Sequence, residues 1–473
     1  MGTASLRRRA ALCALGAAGA LLVSPAPALA HGIIGKPDLP VPRWLFAWAA
    51  AVVLIVSFVA LSVMWRRPRL QNVIAHRVAG LPGLLRPACG AVGLFFFCLT
   101  VYAGLAGEQV LPPSNIAPTM VYALFWVGFA FASLFGDVFR AFNPWLAFAE
   151  GAAWLARKAR IRRPFAVAPY PRWLGRWPAA AGVFAFAWME LIYVEKDTPR
   201  NLGIVALAYA LLMLAGMAVY GIETWSYRGD AFSVYFNLFS RLSPLSWRRR
   251  QLDARTALSG IVDLELWPGT LALIIVMIGT ITFDGLQQGP LYMNHIYPAV
   301  EEPLAGLGPT VAVELAGSIV MVGVVLLVGA AYRLGILGMS TVDRDTPQRV
   351  LALRFAHSLV PIALAYALAH YFSLLVYQVQ AFYFLISDPL GNGANYFGTA
   401  GGMINFTFLT PNSIWYFQVA ALLIGHVCAL ALAHDRAIAL YRDPVQAVRS
   451  QYWMLVVMVF FTCLGLWLLS AAA

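Results

Sequence analysis

Charge is what this chain has least of. Only 11% of its 473 residues are Asp, Glu, Lys or Arg, where a soluble protein of this length carries about a quarter. Together with 61% hydrophobic residues and a mean hydropathy of +0.74, that deficit excludes an ordinary soluble enzyme. Cysteine is scarce as well. Of five cysteines, Cys13 falls in the N-terminal leader, and Cys89, Cys98, Cys428 and Cys463 lie in or beside apolar runs. They have neither metal-ligand spacing nor a disulfide framework, which leaves a packing role. There is no HExxH, no P-loop or GxGxxG at a strand–helix junction, and no GxSxG elbow in a suitable context. No separate soluble domain, internal repeat or nucleic-acid-binding module is visible. The net charge of +12 therefore calls for another explanation.

What is present in quantity is long apolar sequence. Residues 1–30 read as a secretory signal: Arg7, Arg8 and Arg9, then the apolar run Ala10 to Val23, then the small-x-small site Ala28-Leu29-Ala30. Cleavage there leaves His31 as the new N-terminus, outside the cytoplasm. Residues 31–473 form a single multi-span membrane domain. Its apolar runs predict about ten spans of roughly 17–25 residues each. They lie near Trp44–Trp65, Ala88–Ala106, Thr119–Phe139, Pro178–Val194, Leu202–Glu223, Glu265–Phe283, Thr310–Tyr332, Phe355–Gln378, Ser413–Ala433 and Tyr452–Ser470. With both termini outside, Lys and Arg concentrate in the inner loops 66–87, 140–177, 224–264, 333–354 and 434–450. The outer segments of the mature chain hold only Lys36, Arg43, Lys196 and Arg200. That bias supports both count and orientation, in a bacterial cytoplasmic membrane, and accounts for the basic balance. The expected fold is thus all-α, a polytopic helical bundle following a cleaved signal peptide.

Two inner loops carry aromatic and basic stretches. NPWLAFAEGAAWLARKARIRR (Asn143 to Arg163) reads as a topology anchor or a helix on the anionic inner leaflet, and Gly229 to Arg250 is of the same type. Two outer loops are long: the acidic Asp284 to Pro309, and the Gly- and Asn-rich Ser387 to Asn412. Long outer loops often form lids or binding surfaces.

The candidate chemistry lies in ionisable residues within the spans, where charge is costly and functional by default. At 1.5 Å per residue, Glu190 and Glu314 fall ~6 Å below the outer ends of their helices and His370 ~12 Å below, with Asp284 at the boundary. These four share a layer. His426 lies deeper, at ~20 Å. Two carboxylates and an imidazole, with a third carboxylate above, are a plausible ligand set for zinc, manganese or iron. A metal with an open position yields a hydroxide nucleophile. His31 adds an amine and a ring nitrogen on the same side, a pair suited to copper or zinc, and His295 in the acidic outer loop is a further candidate. Equally, Glu190 and His370 can hydrogen-bond each other or a tyrosine and only fix helix packing.

Several segments carry a resemblance. AHGIIGKPDLPVPRWLFAWAAAVVLIVSF, FWVGFAFASLFGDVFRAFNPW, YPRWLGRWPAAAGVFAFAWMELIY, RGDAFSVYF, GTITFDG, RFAHSLVPIALAYALAHYFSLLVYQ and VAALLIGHVCALALAHDRA together resemble the bacterial membrane family known as fenitrothion hydrolase, over almost the whole mature chain. The resemblance implies hydrolysis of a lipophilic phosphorothioate triester to a dialkyl thiophosphate and a nitrophenol. The positions matching the family pattern are His31, Glu190, Asp284, Glu314, His370 and His426. The expected roles are Glu190, Asp284, Glu314 and His370 as catalytic groups, with His370, Glu190, Glu314 and His31 as metal ligands. The competing expectation is a transporter or metal-handling permease, in which the same residues form an ion or proton path. The blandest is a scaffold. The expected partners are the lipid bilayer and a lipophilic small molecule, with no nucleic acid.

Overall fold

An apolar segment without water must close its backbone hydrogen bonds within itself, and helices do so. The computed structural model describes residues 43–160, 165–248, 250–342, 344–441 and 443–471. The expected signal and His31 lie outside these residues. The principal helices are α1 (Arg43–Met64), α2 (Leu85–Ala106), α3 (Ile116–Phe135), α4 (Pro144–Lys158), α5 (Trp177–Leu191) and α6 (Pro199–Tyr220), followed by α7 (Ala231–Ser240), α8 (Thr270–Gln287), α9 (Pro309–Ser340), α10 (Gln348–Leu385), α11 (Pro411–Leu440) and α12 (Tyr452–Ala471). Among the described residues, eight helices are long and apolar enough to cross a membrane. These are α2, α3, α6, α8, α9, α10, α11 and the C-terminal stretch Pro444–Trp467. Helices α1 and α5 stand at the other two expected positions, with an apolar stretch of Trp48–Met64 in α1.

Helix α10 is the hub. It packs on α11, α3 and α8, and every residue from Val360 to Tyr371 is buried. A helix that is apolar all round belongs in the middle of a bundle. Helices α8 and α9 pack together, α5 lies on α8, α2 on α6, and α1 on α12. Small residues set the closest approaches. A Cβ on Gly425 of α11 would stand 2.2 Å from the Ala365 Cβ of α10, and one on Gly104 of α2 would stand 2.6 Å from the Pro199 oxygen at the start of α6. Without a methyl group at these points the backbones can close. On the bundle's outside, large apolar side chains such as Leu326, Leu327 and Phe460 are exposed, the arrangement expected of a surface solvated by lipid.

The bundle is helical as expected, with one small addition. Strands β1 (Ala75–Gly80), β2 (Leu245–Arg248) and β3 (Gln251–Arg255) form an antiparallel three-stranded sheet in the order β1-β3-β2. Its strands come from two basic loops far apart in sequence. A short hairpin is marginal alone, and a third strand supplies the partner it lacks. Two carboxylates organise the same end of the bundle. Asp230 caps α7 and is fully buried, accepting from Trp145 Nε1 at 2.6 Å, Ser233 Oγ at 2.6 Å and Tyr209 Oη at 2.8 Å. Asp435 accepts from Trp65 Nε1 at 2.9 Å, the Arg69 N–H at 2.6 Å and Gln71 Nε2 at 2.6 Å, tying the loop after α1 to α11. Trp145 of the expected surface helix therefore points into the core, while Phe148 and Trp154 of α4 are exposed.

Outside the spanning helices, Asp137 shows what burial does to a carboxylate here: desolvation raises its pKa, against the opposing pull of Asn237 and Arg140. Burial lowers Arg176 to about 10, and the nearby Arg241 acts in the same direction.

Candidate functional site

Three of the four spanning-layer residues converge. Asp284 sits in the last turn of α8, Glu190 in the last turn of α5, and His370 in the middle of α10. Asp284 is 0% exposed, Glu190 and His370 3% each. His370 Nε2 stands 2.5 Å from Asp284 Oδ2. The two side chains thus make a close carboxylate–imidazole contact. Asp284 Oδ1 accepts from Gln287 Nε2 at 2.9 Å and from Gln288 Nε2 at 3.3 Å. Glu190 Oε2 accepts from the Tyr371 hydroxyl at 3.2 Å, and lies within electrostatic reach of Asp284. The Tyr371 ring packs edge-on to His370, with centroids 5.0 Å apart.

Helical spacing explains the assembly. His370 and Tyr371 are consecutive on α10 and so point about 100° apart, His370 towards α8 and Tyr371 towards α5. Each then meets one carboxylate. A small cavity of about 20 Å³ adjoins His370, lined by Thr282, Gly285, Tyr366, Ala369, Leu422 and Gly465 among others. That is room for about one water molecule, so the centre as it stands admits a proton or a water and no larger ligand.

The remaining candidates fall elsewhere. Glu314 accepts from the Val194 N–H at 3.2 Å, and the hydroxyl of Ser318 on its own helix takes the Trp188 indole proton at 2.8 Å. It holds the start of α9 to the turn after α5. His295 is exposed beyond α8. His426 is fully buried on α11. Its Nδ1 bonds the Leu422 oxygen at 2.8 Å, its ring lies 6.0 Å from that of Tyr366, and its Nε2 meets no hydrogen-bond partner. Tyr366 and Leu422 also line the small cavity, so His426 is one residue removed from it. Among the described residues, no three of His, Cys, Asp and Glu group closely enough to hold a metal ion. His31 lies outside the described residues.

Sequence reasoning missed the buried Asp230 and Asp435 and a large apolar cavity beside α6; His357, expected near the inner face, lies near Asp435 and Arg436. The two aspartates left a signal: one heads the amphipathic run GDAFSVYF, and the other sits in AHDRA at the basic end of a span.

The fold and centre together define a multi-span α-helical membrane protein with a buried carboxylate–imidazole–carboxylate centre. No family model, curated protein or solved structure compared with the chain matches it.

Proposed function

We propose that this chain is a ten-span protein of a bacterial cytoplasmic membrane, made with a signal peptide, whose Asp284–His370–Glu190 centre takes up and releases a proton as part of a transport cycle. The observation that carries this reading is the close Asp284–His370 contact in a site with space for about one water. Two carboxylates and an imidazole shielded from water cannot vary their charge independently. One proton entering or leaving therefore changes the electrostatics of three helices together. Polar groups continue towards the basic end: Tyr366, His426, and then His434, eight residues or ~12 Å further along α11. Buried His357 and His426 each present an Nε2 without a hydrogen-bond partner. Such chains of intramembrane acids and histidines are the usual material of proton relays. Positive-inside charge bias supports an outward-facing centre.

A second reading, the triester hydrolase, is favoured by the same Asp–His contact. A carboxylate that orients an imidazole is the arrangement that lets the ring act as a general base on water. This reading requires the helices around His370 to part and admit the ester. Its metal-assisted form would draw on His370, Glu190, Glu314 and His31.

The test uses the purified protein in liposomes loaded with a pH-sensitive dye under an imposed potential. The proton reading expects uptake by the parent that falls at least tenfold in both Asp284→Asn and His370→Gln. Equal uptake in parent and variants, with the variants folded by size exclusion, overturns it. Nitrophenolate release from fenitrothion, measured on the same samples, decides the second reading. Release by the parent that is lost in His370→Gln supports it, and no release by the parent refutes it.

A further inference from the structure

A large apolar cavity has no part in either reading. It occupies about 1160 Å³ between α2, α3, α5 and α6, backed by Phe232 of α7. No Asp, Glu, Lys, Arg or His lines it. Its few polar side chains are already engaged. Thr100 Oγ1 bonds the Phe96 oxygen at 2.8 Å, Trp145 and Tyr209 bond Asp230, and Asn201 bonds Glu195 at 2.8 Å. A hydrated ion or polar metabolite would find nothing to replace its water.

The cavity's shape points to a chain. Its lining on α6 runs from Asn201 to Met213, twelve residues and so a rise of ~18 Å. One leaflet of a bilayer with a ~30 Å hydrocarbon core spans ~15 Å. Gly93, Ala181, Ala185 and Ala206 supply the room along the walls. The Trp145–Asp230–Tyr209 hydrogen bonds anchor the wall at one end, and Tyr193 and Asn201 stand at the other. The volume exceeds the ~300–1,000 Å³ usual for compact small-molecule pockets, as an extended ligand requires.

We infer that this slot is a binding site for one alkyl chain of a lipid, with the polar head of that lipid at the Tyr193–Asn201 end. The inference does not depend on the chemistry of the His370 centre.

The probes are a phospholipid and a free fatty acid, each with a photoreactive diazirine midway along the chain. Each is mixed into liposomes with the full-length protein, and adducts are mapped by mass spectrometry. Adducts are expected on slot residues such as Leu202, Val205 and Met213. They should fall at least tenfold in Ala185→Trp and Ala206→Trp, which fill the slot, and stay unchanged in Leu211→Trp, which lies outside it. Labelling by one probe alone supports the site and identifies the source of the chain. Equal labelling of slot residues and of Leu207, Leu211 and Leu326 on the outer surface means only annular lipid, and overturns the inference. If the filling variants fail to fold, the adduct map of the parent decides alone by the same comparison.

Discussion

Replacing His370 with Gln is the perturbation whose cost follows most directly from the geometry. The imidazole stands 2.5 Å from a carboxylate that is 0% exposed. Removing it leaves the Gln287 and Gln288 amides on Asp284 Oδ1 but takes the imidazole from Oδ2. Breaking one side of a buried pair costs about 3–5 kcal/mol because the partner is left uncompensated, and removing that partner as well adds little further loss. His370→Gln and Asp284→Asn should therefore each destabilise by about 3 kcal/mol or more, while the double variant should lose about as much as either alone. The expected coupling is then about 2–3 kcal/mol, well above the ~0.6 kcal/mol average of hydrogen bonds between membrane helices. Equilibrium unfolding of the four proteins in mixed micelles supplies the cycle. Losses that add to within ~0.5 kcal/mol mean that the two residues do not interact, and refute the coupling of the pair.

Other expectations follow from single contacts. Asp435→Ala strips a buried acceptor from Trp65, Arg69 and Gln71. At about 1–3 kcal/mol for an unsatisfied group, it should destabilise by about 3 kcal/mol and raise amide exchange at Arg69 and Leu70. Gly104→Leu drives a side chain into the Pro199 oxygen and Gly203 Cα and should cost about 1–3 kcal/mol. Gly323→Ala meets open space and should instead stabilise by about 0.5–1 kcal/mol, both read from thermal unfolding. The half-buried Glu108 is lowered by the Val110 and Leu111 backbone N–H groups. A carboxylate with a depressed folded pKa stabilises above its unfolded value and loses that contribution as pH falls through the folded one. The protection factor at Val110 should accordingly fall on acidification, and that fall should vanish in Glu108→Gln.

How much could be read beforehand depended on what each feature needs. Helix positions follow from apolar runs and loop charge: among the described residues eight helices are long and apolar enough to cross a membrane, while α5, at 15 residues, and the apolar part of α1 are shorter than a full span. Depth counting brought Glu190, Asp284 and His370 to one level, and the structure joins them. It put Glu314 there too, because rise along a helix says nothing about direction around its axis. Glu314 faces the turn at Val194 instead. The sheet was invisible because its strands are short, polar and drawn from loops more than 160 residues apart. The apolar slot was invisible for a related reason. Gly93, Ala181 and Ala206 become a cavity only when three helices stand side by side.

The central claim is that the buried Asp284–His370 centre exchanges protons across the bilayer. Proton uptake into liposomes under an imposed potential, measured for the parent and for Asp284→Asn, tests it most directly. Uptake by the parent is expected to be at least tenfold above that of the variant. Identical traces from two equally folded proteins would contradict it.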